Sequence, residues 1–384
     1  MDRKHFDLIS DLVKSSADHS IVSQAIDRIR LGLNPHPAGQ LECNIPELDG
    51  KKVDGIQHKY PETMLVFPAQ GQTCHAFCTF CFRWPQFTGM NDYKMALKKA
   101  EVSAAYLGRH PEVTDVLFSG GDPMVMNASR LEIYIDAMLN SGNSNLRTIR
   151  IGTKSLSFWP YRYLTDKDSG KILELFRKVA DAGIHLSIMA HINHYKEMST
   201  AAFREAVKRI RQTGAVIRTQ SPVLNHVNAS PATWKRMWTE QVGLGIIPYY
   251  MFVPRNTGSH RFFSIPLVKA YNIYRKALSR VSGLARTVRG PSMSALPGKI
   301  RIDGLPNIKG KKYIAMSFIQ ARSADWVTKP FYSEYDKLAC WINELKPAFG
   351  EEKFFFDRDE SGFPALEEDF PDETGILSSA MALC

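Results

Sequence analysis

No stretch of this 384-residue chain is an uninterrupted apolar run of membrane-spanning length, which argues against a transmembrane protein. The amino-terminal MDRKHFDLISDLVKSSADHS carries acids and serines through its apolar pattern, unlike a signal peptide, so a cytoplasmic location is expected. Cysteine is scarce, six residues in all, too few in a chain this long for a disulfide framework; a reducing compartment would keep them as thiols able to meet a metal. The chain has no low-complexity tract, and no dense basic block despite its formal net charge of +10. Lysine and arginine are scattered, with brief clusters such as Lys309 to Lys312, which argues for a solvated basic surface and against nucleic acid as a partner.

What is there is a core. Hydrophobic residues make up 44% of the chain, enough for a large globule. From about residue 60 to 280, six short β-branched runs alternate with longer amphipathic stretches, the pattern of βα units around a parallel sheet. The runs begin at Met64, Thr114, Thr148, His185, Ala215 and Ile246. Helix-like segments follow them, one opening with a Ser230 cap and Pro231 in its first turn. Gly183, Gly214 and Gly245 stand where left-handed C-caps would close helices.

The expected fold is α/β, a partial (β/α)6 TIM-type barrel with an N-terminal helical cap and an irregular C-terminal extension. The divisions are 1–60 for the helical region, 61–300 for the barrel and 301–384 for the extension. In such barrels chemistry gathers at the carboxyl ends of the strands. There the sequence puts the cysteine-rich segment, SGGDP (Ser119 to Pro123), Gly152 and Thr153, His191, Gln220, and VPR ending at Arg255.

Three of the six cysteines lie in GQTCHAFCTFCFRWPQF, at Cys74, Cys78 and Cys81. A structural zinc site takes four ligands, usually as two separated pairs. Here His75 adjoins Cys74 awkwardly, and Cys43, Cys340 and Cys384 have no short-spaced partner. A [4Fe-4S] cluster can instead be held by three thiolates, leaving one iron open to a ligand.

The C-x-x-x-C-x-x-C spacing, with aromatic Phe80 before the last cysteine, resembles the radical S-adenosylmethionine (SAM) family. The resemblance implies a [4Fe-4S] cluster on Cys74, Cys78 and Cys81 whose open iron is chelated by SAM. Reductive cleavage of SAM would yield methionine and a 5′-deoxyadenosyl radical that abstracts a substrate hydrogen. It also implies that Ser119, Gly120, Gly121 and Asp122 meet the methionyl group, and that a reductant such as flavodoxin or ferredoxin supplies the electron.

Ordered blocks narrow the resemblance to the lysine 2,3-aminomutase subfamily: KYPETMLVF, DVLFSGGDP, IRIGT (Ile149 to Thr153), HINHYKEM from His191, TQSPVLNHVN from Thr219, and PYYMF from Pro248. This likeness places His191, Gln220 and Thr153 at SAM. It further implies pyridoxal phosphate (PLP) with Lys299 as its Schiff-base lysine and Lys59 as a phosphate cation. Two departures stand against PLP: the family's PGGGGK reads GPSMSALPGK here, and the second arginine of R-Y-P-x-R is Thr63.

Arg83 matches an arginine that grips the substrate carboxylate. The family's two aspartates for the distal ammonium of lysine are matched by Arg255 and Arg289. Two reversed charges would repel lysine and suit an acidic substrate. The expected activity is an aminomutase-type rearrangement of a small amino-acid-like, non-lysine substrate. The alternatives are a PLP-independent radical SAM reaction, such as an epimerisation, or modification of RNA or protein. The cysteines of the family's zinc site have no counterpart, so the extension would pack on the barrel or make a subunit contact, leaving a homo-oligomer open.

Overall fold

A computed structural model describes residues 3–33, 44–87 and 95–357. Cys43, Cys384 and the acidic tail lie outside the described residues. Helices α1 (Arg3–Lys14) and α2 (His19–Leu33) open the chain and contact each other. A small hairpin, β1 (Glu47–Leu48) and β2 (Lys51–Lys52), leads into β3 (Ile56–Tyr60), which pairs antiparallel with β4 (Thr63–Val66). The stretch expected as a helical cap therefore also contributes a strand to the main sheet.

From β4 the six apolar runs each form their strand. β4 is followed by β5 (Asp115–Phe118), β6 (Thr148–Thr153), β7 (His185–His191), β8 (Val216–Pro222) and β9 (Ile247–Phe252), all parallel and paired in chain order. The connections carry α3 (Ala100–Gly108), α4 (Ala128–Leu139), α5 (Ser155–Phe158), α6 (Ser169–Asp181), α7 (Ala201–Arg211) and α8 (Pro231–Gly243). After β9 come α9 (His260–Phe263) and α10 (Leu267–Leu278).

Local chemistry explains the boundaries. Asn127 and Thr200 accept the backbone N–H of Arg130 and Phe203 as N-caps, and Ser230 accepts that of Ala232 ahead of α8. Gly183, Gly214 and Gly245 take φ of +76°, +87° and +71° at the ends of α6, α7 and α8. The outer strand faces, including Ile149, Ile151, Ile188 and Ile217, are fully buried with Ile172, Phe176, Phe203 and Trp234 of the helices. Each such aliphatic side chain contributes about 1.5–3 kcal/mol.

The sheet does not stop at β9. β10 (Arg289–Ser294) adds a parallel strand, and β11 (Gly298–Gly304), β12 (Asn307–Ile308), β13 (Lys311–Ala321) and β14 (Pro330–Glu334) continue it antiparallel, to twelve strands in all. The extension expected to be irregular is thus largely strand up to Glu334. Its own core joins Met293, Ile300, Met316 and Phe318 of the strands to Phe331, Trp341, Leu345 and Phe354.

The two ends of this sheet approach each other. The Nζ of Lys59 in β3 donates to the carbonyl of Ala295 after β10 at 2.5 Å, and Nη2 of Arg322, one residue past β13, donates to Oδ1 of Asn44 at 2.5 Å. The barrel is closed on that side by hydrogen bonds between side chains and loops, while strand pairing is absent between β3 and β13. No helix among the described residues is long and apolar enough to cross a membrane.

Candidate active site

A cavity of about 1560 Å³ opens at the carboxyl ends of the parallel strands. That exceeds the roughly 300–1,000 Å³ of a single small-ligand site, leaving room for a nucleoside-sized molecule and a second ligand together. Of the residues expected at the site, Cys74, Cys78, Phe80, Cys81, Arg83, Ser119, Gly120, Gly121, Asp122, Thr153, His191, Gln220, Arg255, Lys59 and Lys299 all line it. Arg289 does not belong to its lining: it is exposed, stacked over the rings of Tyr249 and Tyr250 at 5.1 and 5.9 Å.

The cysteine loop follows β4. It turns through a left-handed Phe77 (φ +41°) and a hydrogen bond from the N–H of Cys81 to the carbonyl of Cys78. Ser259, before α9, braces it by donating to the carbonyl of Thr79. Burial pushes the thiols up, to about 11 for Cys78 and about 12 for Cys81, so thiolates there require a bound cationic centre. Among the described residues, one trio of His, Cys, Asp or Glu has ligand atoms all within 4.8 Å of one another: His58, His110 and Glu112. The three cysteine sulfurs do not form such a trio in this structure.

The SGGDP turn lies against this loop. The N–H of Asp122 donates to the carbonyls of Thr73 (2.8 Å) and Gly71 (3.2 Å). A Cβ on Gly121 would lie 2.3 Å from the Thr73 carbonyl oxygen, and one on Gly120, where φ is +156°, would lie 2.7 Å from that of Gly71. Glycine is needed here for close approach of two backbones. Gly121→Ala is accordingly expected to push the turn off the residue before Cys74 and to lower the iron retained after anaerobic reconstitution. Iron content equal to wild type would show that the loop tolerates the shift.

Asp122 and Thr153 serve each other. The buried carboxylate accepts from the Thr153 hydroxyl at 2.7 and 2.9 Å, from the N–H of Lys154 at 2.9 Å and from that of Met124 at 3.0 Å. Together they tie the end of β5 to the end of β6, while burial pushes the Asp122 carboxyl up. Behind them Arg162, 2% exposed, donates to the carbonyls of Met124 and Met126 and pairs with Asp168.

His191 and Gln220 are register partners at the ends of β7 and β8. Burial pushes His191 down to about 3, so the imidazole is neutral. Its proton can be assigned. The ammonium of Lys154, paired with Glu197 at 2.7 Å, donates to Oδ1 of Asn193 at 3.0 Å, which turns the amide Nδ2 towards Nε2 of His191 at 3.1 Å. Nε2 accepts and Nδ1 carries the hydrogen. Lys154, Asn193 and Glu197 are absent from the sequence-based assignment; KEM and the lysine after IRIGT were the available signals.

The cationic side of the cavity is more pronounced than the sequence suggests. Arg83 lies deep, its guanidinium over the rings of Phe67 (4.6 Å) and Phe82 (5.1 Å), with Arg255 over the same Phe82 ring at 5.1 Å. Its hydrogen-bond partner is Oε1 of Gln86 at 3.4 Å, a neutral group. Burial first, and then Arg255, pull it down to about 10, so the Arg83 guanidinium remains charged at neutral pH. Asp115 and Arg150 pair on the cavity wall, and Thr63 donates to Asp115 at 3.3 Å.

Lys299, on β11, donates to Oε1 of Gln320 at 3.1 Å and the Tyr250 hydroxyl at 3.3 Å. Burial, followed by Arg150, pulls it down to about 8. A cavity amine that deprotonates so readily fits a lysine that condenses with an aldehyde.

No family model matches the chain. It is 35% identical over 254 residues to a protein of Aquifex aeolicus (strain VF5) named "Putative L-lysine 2,3-aminomutase", covering 66% of this chain and 65% of that one. It is 27% identical over 257 residues to the L-lysine 2,3-aminomutase of Escherichia coli (strain K12), covering 65% and 70%, and 29% identical over 245 residues to that of Bacillus subtilis (strain 168), covering 64% and 49%. The chain thus spans about half to two thirds of the length of such relatives. Among solved structures, a radical SAM methyltransferase from Sphaerobacter thermophilus aligns at a TM-score of 0.42 and 15% identity, covering 76% of this chain and 94% of that one. Streptococcus suis SuiB bound to S-adenosylmethionine aligns at 0.38 and 13%, covering 56% and 47%.

Proposed function

Since this chain belongs to the lysine 2,3-aminomutase-like group of the radical SAM family, we propose that it abstracts a hydrogen from a small amino-acid-like substrate carrying more than one anionic group. The rearrangement that follows would be of the 2,3-aminomutase type. A [4Fe-4S] cluster held by Cys74, Cys78 and Cys81 would supply the electron that cleaves SAM, with flavodoxin or ferredoxin as its source. Ser119 to Gly121 would offer backbone groups to the methionyl end, and His191 and Gln220 would flank the nucleoside from adjacent strands.

One observation carries the substrate class. Arg83 is a guanidinium whose hydrogen-bond partner is a neutral amide and whose charge feels Arg255 more than the Cys81 sulfur. A half-buried cation in that setting is stabilised by an anion from outside the protein. Lysine would bring an ammonium group to a wall of guanidiniums. Arg289 does not line the cavity, so this reading of the anion site rests on Arg83 and Arg255.

PLP fits the same cavity. Lys299 would hold its aldehyde end, with the stacked rings of Tyr250 and Phe252 (4.8 Å between centroids) beside the amine. The group supplies an imine through which a migrating nitrogen is carried. This chain's residues hold the amine in place through Gln320 and Tyr250 and lower its proton affinity.

The test is a panel of deuterated lysine, glutamate, aspartate and a phosphorylated amino acid, with reduced, reconstituted enzyme. Release of 5′-deoxyadenosine and its deuterium content are measured. Deuterium transfer from an acidic member is expected. If lysine is the best donor, the anionic-substrate reading is wrong.

A further inference from the structure

We propose that Arg322, supplied by the carboxyl-terminal sheet, joins Lys59 to anchor the phosphate of PLP, in place of an arginine that position 63 lacks. This rests on the reading of Lys299 above.

Three features point to it. The turn between β10 and β11 lines the cavity through Ser294 to Pro297. Lys59 donates to the carbonyl of Ala295 at 2.5 Å, and Nε of Arg322 donates to that of Leu296 at 3.0 Å. Neighbouring carbonyls of one turn therefore hold two cations at the cavity wall. Lys299 follows in the same turn-and-strand unit and pairs in register with Ser294.

The second feature is what shares the cavity with the amine and the cations. The Lys299 amine reaches the Tyr250 hydroxyl. The Tyr60 phenol lines the same cavity as Tyr250, Arg255 and Arg322. One cavity thus carries the Lys299 amine, both phenols and the cations. A flat molecule with an aldehyde at one end and a phosphate at the other would find an amine for the first and cations for the second in this cavity.

Third, Thr63 cannot serve as the second phosphate group. Its hydroxyl is committed to Asp115, which pairs with Arg150. Arg322 reaches the cavity from a segment remote in sequence, clamped by Asn44 and the Leu296 carbonyl. The planar fork of arginine suits a phosphate better than an ammonium does.

Equilibrium dialysis of the full-length, anaerobically purified protein against PLP, and separately against pyridoxal, tests this without turnover. R322A is expected to weaken PLP by about tenfold or more, the effect of one charge-assisted hydrogen bond, and to leave pyridoxal binding unchanged. R322K should keep part of the PLP affinity. Unchanged PLP affinity in R322A, with wild type binding PLP, overturns the assignment of Arg322 alone. Equal loss of PLP and pyridoxal in R322A also overturns it, since Arg322 would then shape the pocket without reading the phosphate. Wild-type protein that takes up no PLP overturns the Lys299 reading and this assignment together.

Discussion

Alanine at Cys74, Cys78 and Cys81 together is expected to give a folded protein that binds essentially no cluster iron and releases no detectable 5′-deoxyadenosine from SAM. The three side chains belong to neither core. Their loop is shaped by backbone bonds and by Ser259, which the substitutions leave in place. Lost iron should therefore come with an unchanged far-ultraviolet circular dichroism spectrum. Each single alanine should also fail, because a centre with three protein ligands has no spare. Iron content in the triple variant equal to wild type would mean that the metal is held elsewhere, for example by His58, His110 and Glu112.

Arg83→Met is expected to separate substrate recognition from SAM chemistry. The substitution keeps an unbranched apolar stem against Phe67 and Phe82 and removes the charge. Stranding a buried anion of the substrate costs about 2–5 kcal/mol, or roughly 30-fold to several thousand-fold in kcat/KM. Slow cleavage of SAM in the absence of substrate should persist at the wild-type rate, since Arg83 makes no contact with the SGGDP turn or His191 among its hydrogen bonds. Steady-state kinetics on the best acidic substrate, alongside substrate-free 5′-deoxyadenosine release, gives both numbers. A variant with wild-type kcat/KM would make Arg83 a packing residue. Equal losses in both assays would place it with the SAM machinery.

The parallel strands were readable because each is a short β-branched run bounded by glycine or a capped helix, and both faces of such strands are covered. The carboxyl-terminal strands were not. Register shifts between Lys299 and Ile300 and between Ile302 and Gly304 break the alternation of inward and outward residues in β11, and glycine and proline punctuate the run. The same effect explains Arg289. Counting along the aligned block puts it at the substrate, but the register shifts between Arg289 and Ser292 in β10, and the side chain lies over Tyr249 and Tyr250 without joining them in the cavity lining.

Within the site, the motifs located the residues but could not show how they are used. Asp122 and Thr153 each stand at a strand end, where a ligand contact is the natural reading. Their mutual hydrogen bonds are visible only once β5 and β6 lie side by side. Arg322 carried no local signal at all. It sits between a strand and a serine in a part of the chain without periodicity, and it reaches the cavity only because β13 pairs with β11 and brings its far end back to Asn44.

The bonds from Lys59 to Ala295 and from Arg322 to Asn44 join positions 236 and 278 residues apart. Contacts of such separation form late, because the whole intervening chain must be ordered before its ends can meet. The cysteine loop and the SGGDP turn, by contrast, meet across the first two parallel strands, with the bonds from Thr153 and Ser259 added from later in the chain. During synthesis the part of the cavity proposed to hold iron can therefore begin to take shape while the part carrying Arg255, Lys299 and Arg322 is still being made. A growing chain would pass through a stage with open access to the three thiols, suited to receiving a preassembled cluster, before the last strands arrive and narrow the entrance.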